Sequence, residues 1–297
     1  MALGITAGVG EQLRVIILGD WGEIKLRGQE WVAAGMAAWS EDNDPAFIIT
    51  GGDNIYPKGL RTPDDVQMDI KWRNVYNNHT SLASLPWYVT LGNHDYGDWE
   101  GEEWNEIELS KIDPQWILPH LWYDFVEDLG DGSVHFVVID TETFTKQIER
   151  NNYTDMLGWM DDTLRESTAD WKFVIGHRHA FTAGDAGAVT TEIVDVLIPI
   201  MNRNNVDAYI CGHDHNLQHL RNISGVGLDY VISGAGGALL SRYIQSNEDY
   251  IRDVYDIDTI FFEMTYGFVT LTVEKTFAQF DFFDQDAVLV YNFTRFK

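Results

Sequence analysis

Aspartate, asparagine, tyrosine and histidine recur in five short motifs, and each motif ends a run of apolar residues. The motifs are Gly19-Asp20-Trp21-Gly22, Gly52-Asp53-Asn54-Ile55-Tyr56, Gly92-Asn93-His94-Asp95, Gly176-His177-Arg178-His179 and Gly212-His213-Asp214-His215. Carboxylate, phenolate, amide and imidazole form a mixed hard-to-borderline donor set, suited to Fe, Mn or Zn rather than to Ca, Mg or Cu(I). One His at a strand end is ordinarily a hydrogen-bonded structural residue. Donors at five successive strand ends outline a dinuclear metal site instead. A Tyr ligand must ionise, and its pKa near ~10 falls that far only beside a strongly Lewis-acidic ion such as Fe(III). Cys211 is the one cysteine, so a thiolate zinc knot and an intrachain disulfide are both excluded.

The runs that must position these groups are Val15–Leu18, Phe47–Thr50, Trp87–Leu91, Phe173–Ile175 and Tyr209–Cys211. Short, β-rich and almost wholly apolar, they read as strands buried on both faces. Side chains just past the C-terminal ends of such strands converge in one crevice. Helices are expected near Gln29–Ala34, over Asp64–Tyr76 with Val66, Ile70, Trp72 and Val75 on one face, over Tyr153–Ser167 and over Val189–Asn202. The acidic segment between Gly97 and Asp113 reads as partly helical and near the surface. Leu121–Val126 and Val134–Ile139 read as paired strands around Gly130-Asp131-Gly132. From Leu217 onward β structure returns, and Thr270, Thr272 and Glu274 alternating with Val269, Leu271 and Val273 mark a half-buried strand. No Pro/Ser-rich linker divides the chain. The expectation is an extension over residues 1–12 and one domain over 13–297, α/β in class, with two packed sheets and helices outside.

Composition narrows the partners. The 297 residues carry a formal charge of −27, from 47 acidic and 20 basic residues. Such a surface repels polyanions, so nucleic acid is not an expected partner. No run approaches the ~18 apolar residues of a membrane span. The first dozen residues have neither a basic start nor a long apolar stretch, so no signal peptide is read in this chain. Sequons occur at Asn78, Asn152, Asn222 and Asn292.

Taken together, the motifs resemble those of the purple acid phosphatases, within the calcineurin-like metallophosphoesterases. Gly51-Gly52-Asp53-Asn54-Ile55-Tyr56 is the discriminating element, since other metallophosphoesterases generally lack the Tyr. Cys211-Gly212-His213-Asp214-His215-Asn216-Leu217-Gln218, followed by Ser233-Gly234-Ala235-Gly236, is similar to the small, tartrate-resistant type of animals. The resemblance covers roughly residues 13 to 296. It implies a four-layer α/β/β/α sandwich of two mixed sheets. It also implies a ferric site made by Asp20, Asp53, Tyr56 and His215, and a divalent site (Fe, Zn or Mn) made by Asp53, Asn93, His177 and His213, with Asp53 bridging. His94 matches the family's histidine facing the ester. The implied activity is acid hydrolysis of phosphate monoesters, releasing inorganic phosphate, by attack of a metal-bound hydroxide. With the sequons, the resemblance further implies a secreted glycoprotein.

Two positions depart from the family pattern. His179 stands where a proline is usual, and Asp185-Ala186 stands where small-type members tend to have a second substrate-facing His. The expected proton donors are therefore His94 and His179 together. The segment between Asp140 and Leu157 is shorter than the inhibitory loop of vertebrate relatives, so proteolytic activation there is not expected. The alternatives are a phosphodiesterase on the same dinuclear scaffold and a catalytically silent metal-binding surface protein.

Overall fold

The structure is a computed structural model that describes residues 12–23, 25, 27–143, 145 and 153–297. The sequon at Asn152 and the expected 1–12 extension, Gln12 apart, lie outside these residues. In chain order the strands are β1 (Leu13–Leu18), β2 (Phe47–Thr50), β3 (Trp87–Tyr88), β4 (Trp116–Ile117), β5 (Tyr123–Asp128), β6 (Ser133–Val138) and β7 (Trp171–Ile175). Then come β8 (Ala208–Cys211), β9 (Leu217–Asn222), β10 (Asp229–Ser233), β11 (Ile257–Glu263), β12 (Gly267–Val273), β13 (Phe277–Asp284) and β14 (Leu289–Phe296). The helices are α1 (Gly28–Asn43), α2 (Asn74–Tyr76), α3 (Trp104–Ser110), α4 (Tyr153–Glu166), α5 (Ile198–Arg203) and α6 (Gln245–Tyr255).

Two seven-stranded mixed sheets form, in the orders β14-β13-β12-β1-β2-β3-β4 and β11-β9-β10-β8-β7-β6-β5. In the first, β1 to β4 are parallel and β12 to β14 antiparallel. In the second, β6, β7, β8 and β10 are parallel, and β5, β9 and β11 run against their neighbours. Side-chain alternation explains why the central runs are apolar throughout. Val134, Phe136, Val138, Trp171, Phe173, Ile175, Ala208 and Ile210 point into the core between the sheets. Their neighbours Val137, Val174, Tyr209 and Cys211 point outward onto a second core with Met156, Met160 and Leu164 of α4. A strand of this kind buries every side chain, at about 1.5–3 kcal/mol for each large apolar one. Central strand ends are therefore held still. That rigidity is what a polar constellation at those ends requires.

Several expectations are corrected. Over Asp64–Tyr76 the expected helix begins only at Gln67, and its middle, Asp69–Arg73, is π-helical before it leads into α2. The buried stripe is Met68, Trp72 and Tyr76, whereas Val66 and Ile70 are exposed. Trp72 joins Trp21, Trp87 and Trp116 in an aromatic cluster with ring centroids 5.0–6.4 Å apart. Thr270 is fully buried on the face of β12 that α1 approaches, while Thr272 and Glu274 on that face are half-buried as expected. β3 is only two residues long, and β4, α6 and β11 had no counterpart in the sequence reading.

Candidate metal centre

All five motifs sit where the parallel strands β1, β2, β3, β7 and β8 run out, three from the first sheet and two from the second. Sharp turns there aim the side chains inward. Asp20, Asp53 and His213 all hold positive φ, at 59°, 52° and 70°. Non-glycine residues adopt that region only where the surroundings force it, and such strain concentrates at functional sites. Gly92 is required by close approach: a Cβ there would run into Asp53 Oδ1 and the His177 ring.

Two groups of donor atoms result. In one, Asp20, Asp53 and His215 offer atoms within 4.8 Å of one another, and in the other Asp53, His177 and His213 do so. Tyr56 completes the first group. Its hydroxyl lies 3.0 Å from Asp20 Oδ1, 3.0 Å from Asp53 Oδ2 and 3.1 Å from His215 Nε2. Asn93 completes the second, with Oδ1 3.2 Å from His177 Nε2. Asp53 belongs to both groups and divides its oxygens between them. Oδ2 faces Tyr56, while Oδ1 lies 3.5 Å from His177 Nε2.

The outer nitrogens fix two of the rings. His177 Nδ1 donates to the Gly51 carbonyl at 2.8 Å, and His215 Nδ1 donates to the Leu239 carbonyl at 2.8 Å. Each ring is thereby turned to present Nε2 inward, the arrangement that orients metal-ligating imidazoles. His213 differs. Its Nδ1 faces inward, 3.2 Å from His177 Nε2, but its Nε2 meets Arg178 Nη1 at 3.2 Å. A guanidinium only donates, so Nε2 accepts and the neutral ring carries its proton on Nδ1. For Nδ1 to offer a lone pair to a cation, that contact with Arg178 must be given up.

Electrostatics show what the groups lack. Asp20 and Asp53 are buried side by side. Burial, then the charges of Asp20 and Asp53, hold the Tyr56 hydroxyl well above its usual pKa. Burial opposes a charged His215, but the hydrogen bond and charge of Asp20 outweigh it and lift the ring to about 9. Protons on Tyr56 and His215 thus stand where a cation would stand. Cation binding must displace them and so tighten as pH rises. Paired buried carboxylates, a phenol and inward-facing imidazoles fit two cations of the kind named above.

His94 is 35% exposed at its side chain, with its ring 4.4 Å from that of Tyr56. Nδ1 donates to the Pro57 carbonyl at 2.6 Å, leaving Nε2 on the open side, 3.9 Å from Asp53 Oδ2. The structure does not bring His179 there. Its ring is buried behind His213, with centroids 5.5 Å apart, and Nε2 donates to the Gly187 carbonyl at 2.8 Å. The segment after β7 bends rather than staying extended, so His177 and His179 do not share a face.

Sequence reasoning missed three supports. Asp95, fully buried, accepts from the N–H groups of Gly92, Asn54 and Ile55 at 2.8–3.0 Å and ties the second motif to the third. Glu142, also fully buried, grips Arg178 with both oxygens, at 2.8 and 2.9 Å. Arg178 in turn borders the donor groups. Its place inside the Gly176–His179 motif was the only available signal.

The calcineurin-like phosphoesterase family model matches residues 13–217. Purple acid phosphatase 7 of Arabidopsis thaliana is 33% identical, covering 92% of this chain and 82% of its own length. Tartrate-resistant acid phosphatase type 5 of Oryctolagus cuniculus is 31% identical, covering 77% of this chain and 74% of its own length. Among solved structures, GAP50, the anchor in the inner membrane complex of Plasmodium, superposes with a TM-score of 0.79 at 20% identity. It covers 96% of this chain and 89% of its own, a likeness of fold.

Proposed function

Because the chain belongs to the calcineurin-like phosphoesterases and, within them, to the purple acid phosphatases, we propose that it is an acid phosphatase cleaving phosphate monoesters at a dinuclear centre. The observation that carries this reading is Asp53, buried and shared by both donor groups with one oxygen turned to each. Asp20, Asp53, Tyr56 and His215 would hold a ferric ion. Asp53, Asn93, His177 and His213 would hold a divalent one (Fe, Zn or Mn). Bound there, the pair supplies Lewis acidity toward phosphoryl oxygens, an activated water and compensation of developing charge.

The remaining roles fall to the chain itself. Asp20 and Asp53 stay buried, so their charge is undiluted by water. Gly51 and Leu239 carbonyls keep His177 and His215 aimed inward. His94, exposed and with Nε2 open, is placed to hold the ester and to give a proton to the leaving oxygen. Glu142 holds Arg178 at the rim, where its cation can orient an incoming anion once it leaves His213. His179 packs behind His213 and steadies that ring. The unit performing this is proposed to be one domain, residues 13–297.

A secreted glycoprotein is consistent with exposed Asn78 and Asn292, while Asn222 is half-buried. Among the described residues no helix is long and apolar enough to cross a membrane.

Parallel assays of the metal-loaded protein on an aryl monoester, a bis-aryl diester and duplex DNA test the substrate class. The expected result is hydrolysis of the monoester at acidic to near-neutral pH, with much lower kcat/KM on the diester. DNA should remain intact at low salt, because long-range repulsion of a polyanion is then strongest. A diester preferred over the monoester, or DNA cut efficiently at low salt, overturns the monoesterase assignment.

A further inference from the structure

At the far end of β9, away from the metal motifs, a second charged cluster surrounds the buried Asp229. Arg221 Nε donates to Oδ1, Arg295 Nη1 donates to Oδ2, and His219 Nε2 donates to Oδ1 at 2.9 Å. His219 Nδ1 meets the Tyr291 hydroxyl at 2.9 Å, the geometry of a neutral ring with Nδ1 accepting. Two guanidiniums therefore face one carboxylate. The neighbouring acids do not supply a second negative charge: Asp258, opposite Arg221 on β11, is paired with Arg252, and Asp207 with Lys297.

The excess positive charge opens into a pocket of about 330 Å³ lined by Arg221, Thr294, Arg295 and the Gly225-Val226-Gly227 loop. Among the described residues, the terminal nitrogens of Arg221 and Nη2 of Arg295 make no hydrogen bond, and both side chains are 22–27% exposed. The loop touches the cluster through one backbone oxygen, the Gly227 carbonyl, which accepts from Arg295 Nη1 at 2.8 Å. Gly225 and Gly227 hold φ of 69° and 101°, and a Cβ on either would meet nothing within 4 Å.

We propose that this pocket is a binding site for a small free oxyanion of the phosphate class, remote from the metal pair. Guanidinium forks match such anions in shape and charge. In a chain of net charge −27, a cationic pocket stands against the general field. The identification rests on this cluster alone and not on the phosphatase reading.

The test is equilibrium binding of inorganic phosphate to the metal-loaded protein at low ionic strength. Wild type should bind one phosphate beyond that held at the metal pair. Val226→Glu, at a 76% exposed loop position, adds a charge at the pocket mouth without touching Asp229. It should weaken that phosphate by at least about tenfold, the scale of one nearby charge in a partly solvated site. Arg221→Gln, which leaves Asp229 with Arg295 and His219, should do the same. Asp53→Ala, aimed at the metal pair, should leave this site intact. Val226→Glu titrating like wild type, or Asp53→Ala binding no phosphate at all, overturns the proposal. If Arg221→Gln does not fold, Val226→Glu decides alone. An Asp53→Ala protein that keeps its metals contradicts the bridging role of Asp53 while leaving the Val226→Glu result to stand.

Discussion

Replacing Asp53 by alanine is expected to strip both metal ions and to lower kcat by at least ~10³, the scale of losing a principal electrostatic group. The size follows from position. Asp53 turns one oxygen to the Tyr56 group and the other to His177, so its loss removes a ligand from each proposed ion at once. Two cations left close together with one fewer carboxylate repel each other in a buried site. Asp53 Oδ1 also accepts from the His94 backbone N–H at 2.8 Å, so a purely scaffolding loss must be separated from loss of charge. Asp53→Asn makes that separation, since it keeps an oxygen for His94 but no charge. It should be nearly as inactive as the alanine variant. Metal content per chain and kcat check both variants, and an Asp53→Ala protein holding two metals and most of its activity contradicts the bridging role.

Replacing His94 by alanine should produce a loss that depends on the leaving group. His94 Nδ1 is committed to the Pro57 carbonyl, which leaves the open-facing Nε2 to carry and release the proton. General acid catalysis typically contributes about 10²–10⁴-fold and matters most for poor leaving groups. Alkyl phosphates should therefore slow by that factor, and activated aryl phosphates far less. His179→Ala, from its place behind His213, should affect both substrates alike, through metal retention. Measuring kcat on both esters for each variant decides the matter. Equal losses for His94→Ala would reduce it to a binding residue, and a selective loss on alkyl esters for His179→Ala would restore it as a proton donor.

The constellation was legible because each apolar run ends abruptly at a polar motif, and five such ends in one chain admit few arrangements. Two packed sheets with helices outside followed from the same continuous runs, whereas the strand order within each sheet did not. His179 lies behind His213 rather than beside His94 because the backbone bends just past β7, and its place in the motif does not reveal that turn. Within Asp64–Tyr76, Trp72 and Val75 face the core as expected but Val66 and Ile70 do not, because π-helical geometry shifts the stripe relative to a 3.6-residue repeat. β11 was missed because it is an edge strand, with Asp258, Thr259 and Glu263 breaking its apolar pattern. Glu142 and Asp95 were missed for a different reason. Burying a carboxylate depends on long-range partners, Arg178 for the first and the second motif's backbone for the second, that no local pattern records.

The visible spectrum of purified protein loaded with iron, recorded with metal analysis for wild type and Tyr56→Phe, tests the central claim most directly. Tyr56 is the donor that distinguishes this site, and its proton leaves only to a strongly Lewis-acidic ion. Wild type should hold about two metal ions per chain and show a purple or pink charge-transfer band. Tyr56→Phe should lose that band while remaining folded. A wild-type protein that is colourless when oxidised and fully loaded with iron, or a Tyr56→Phe protein that keeps its colour, contradicts the account.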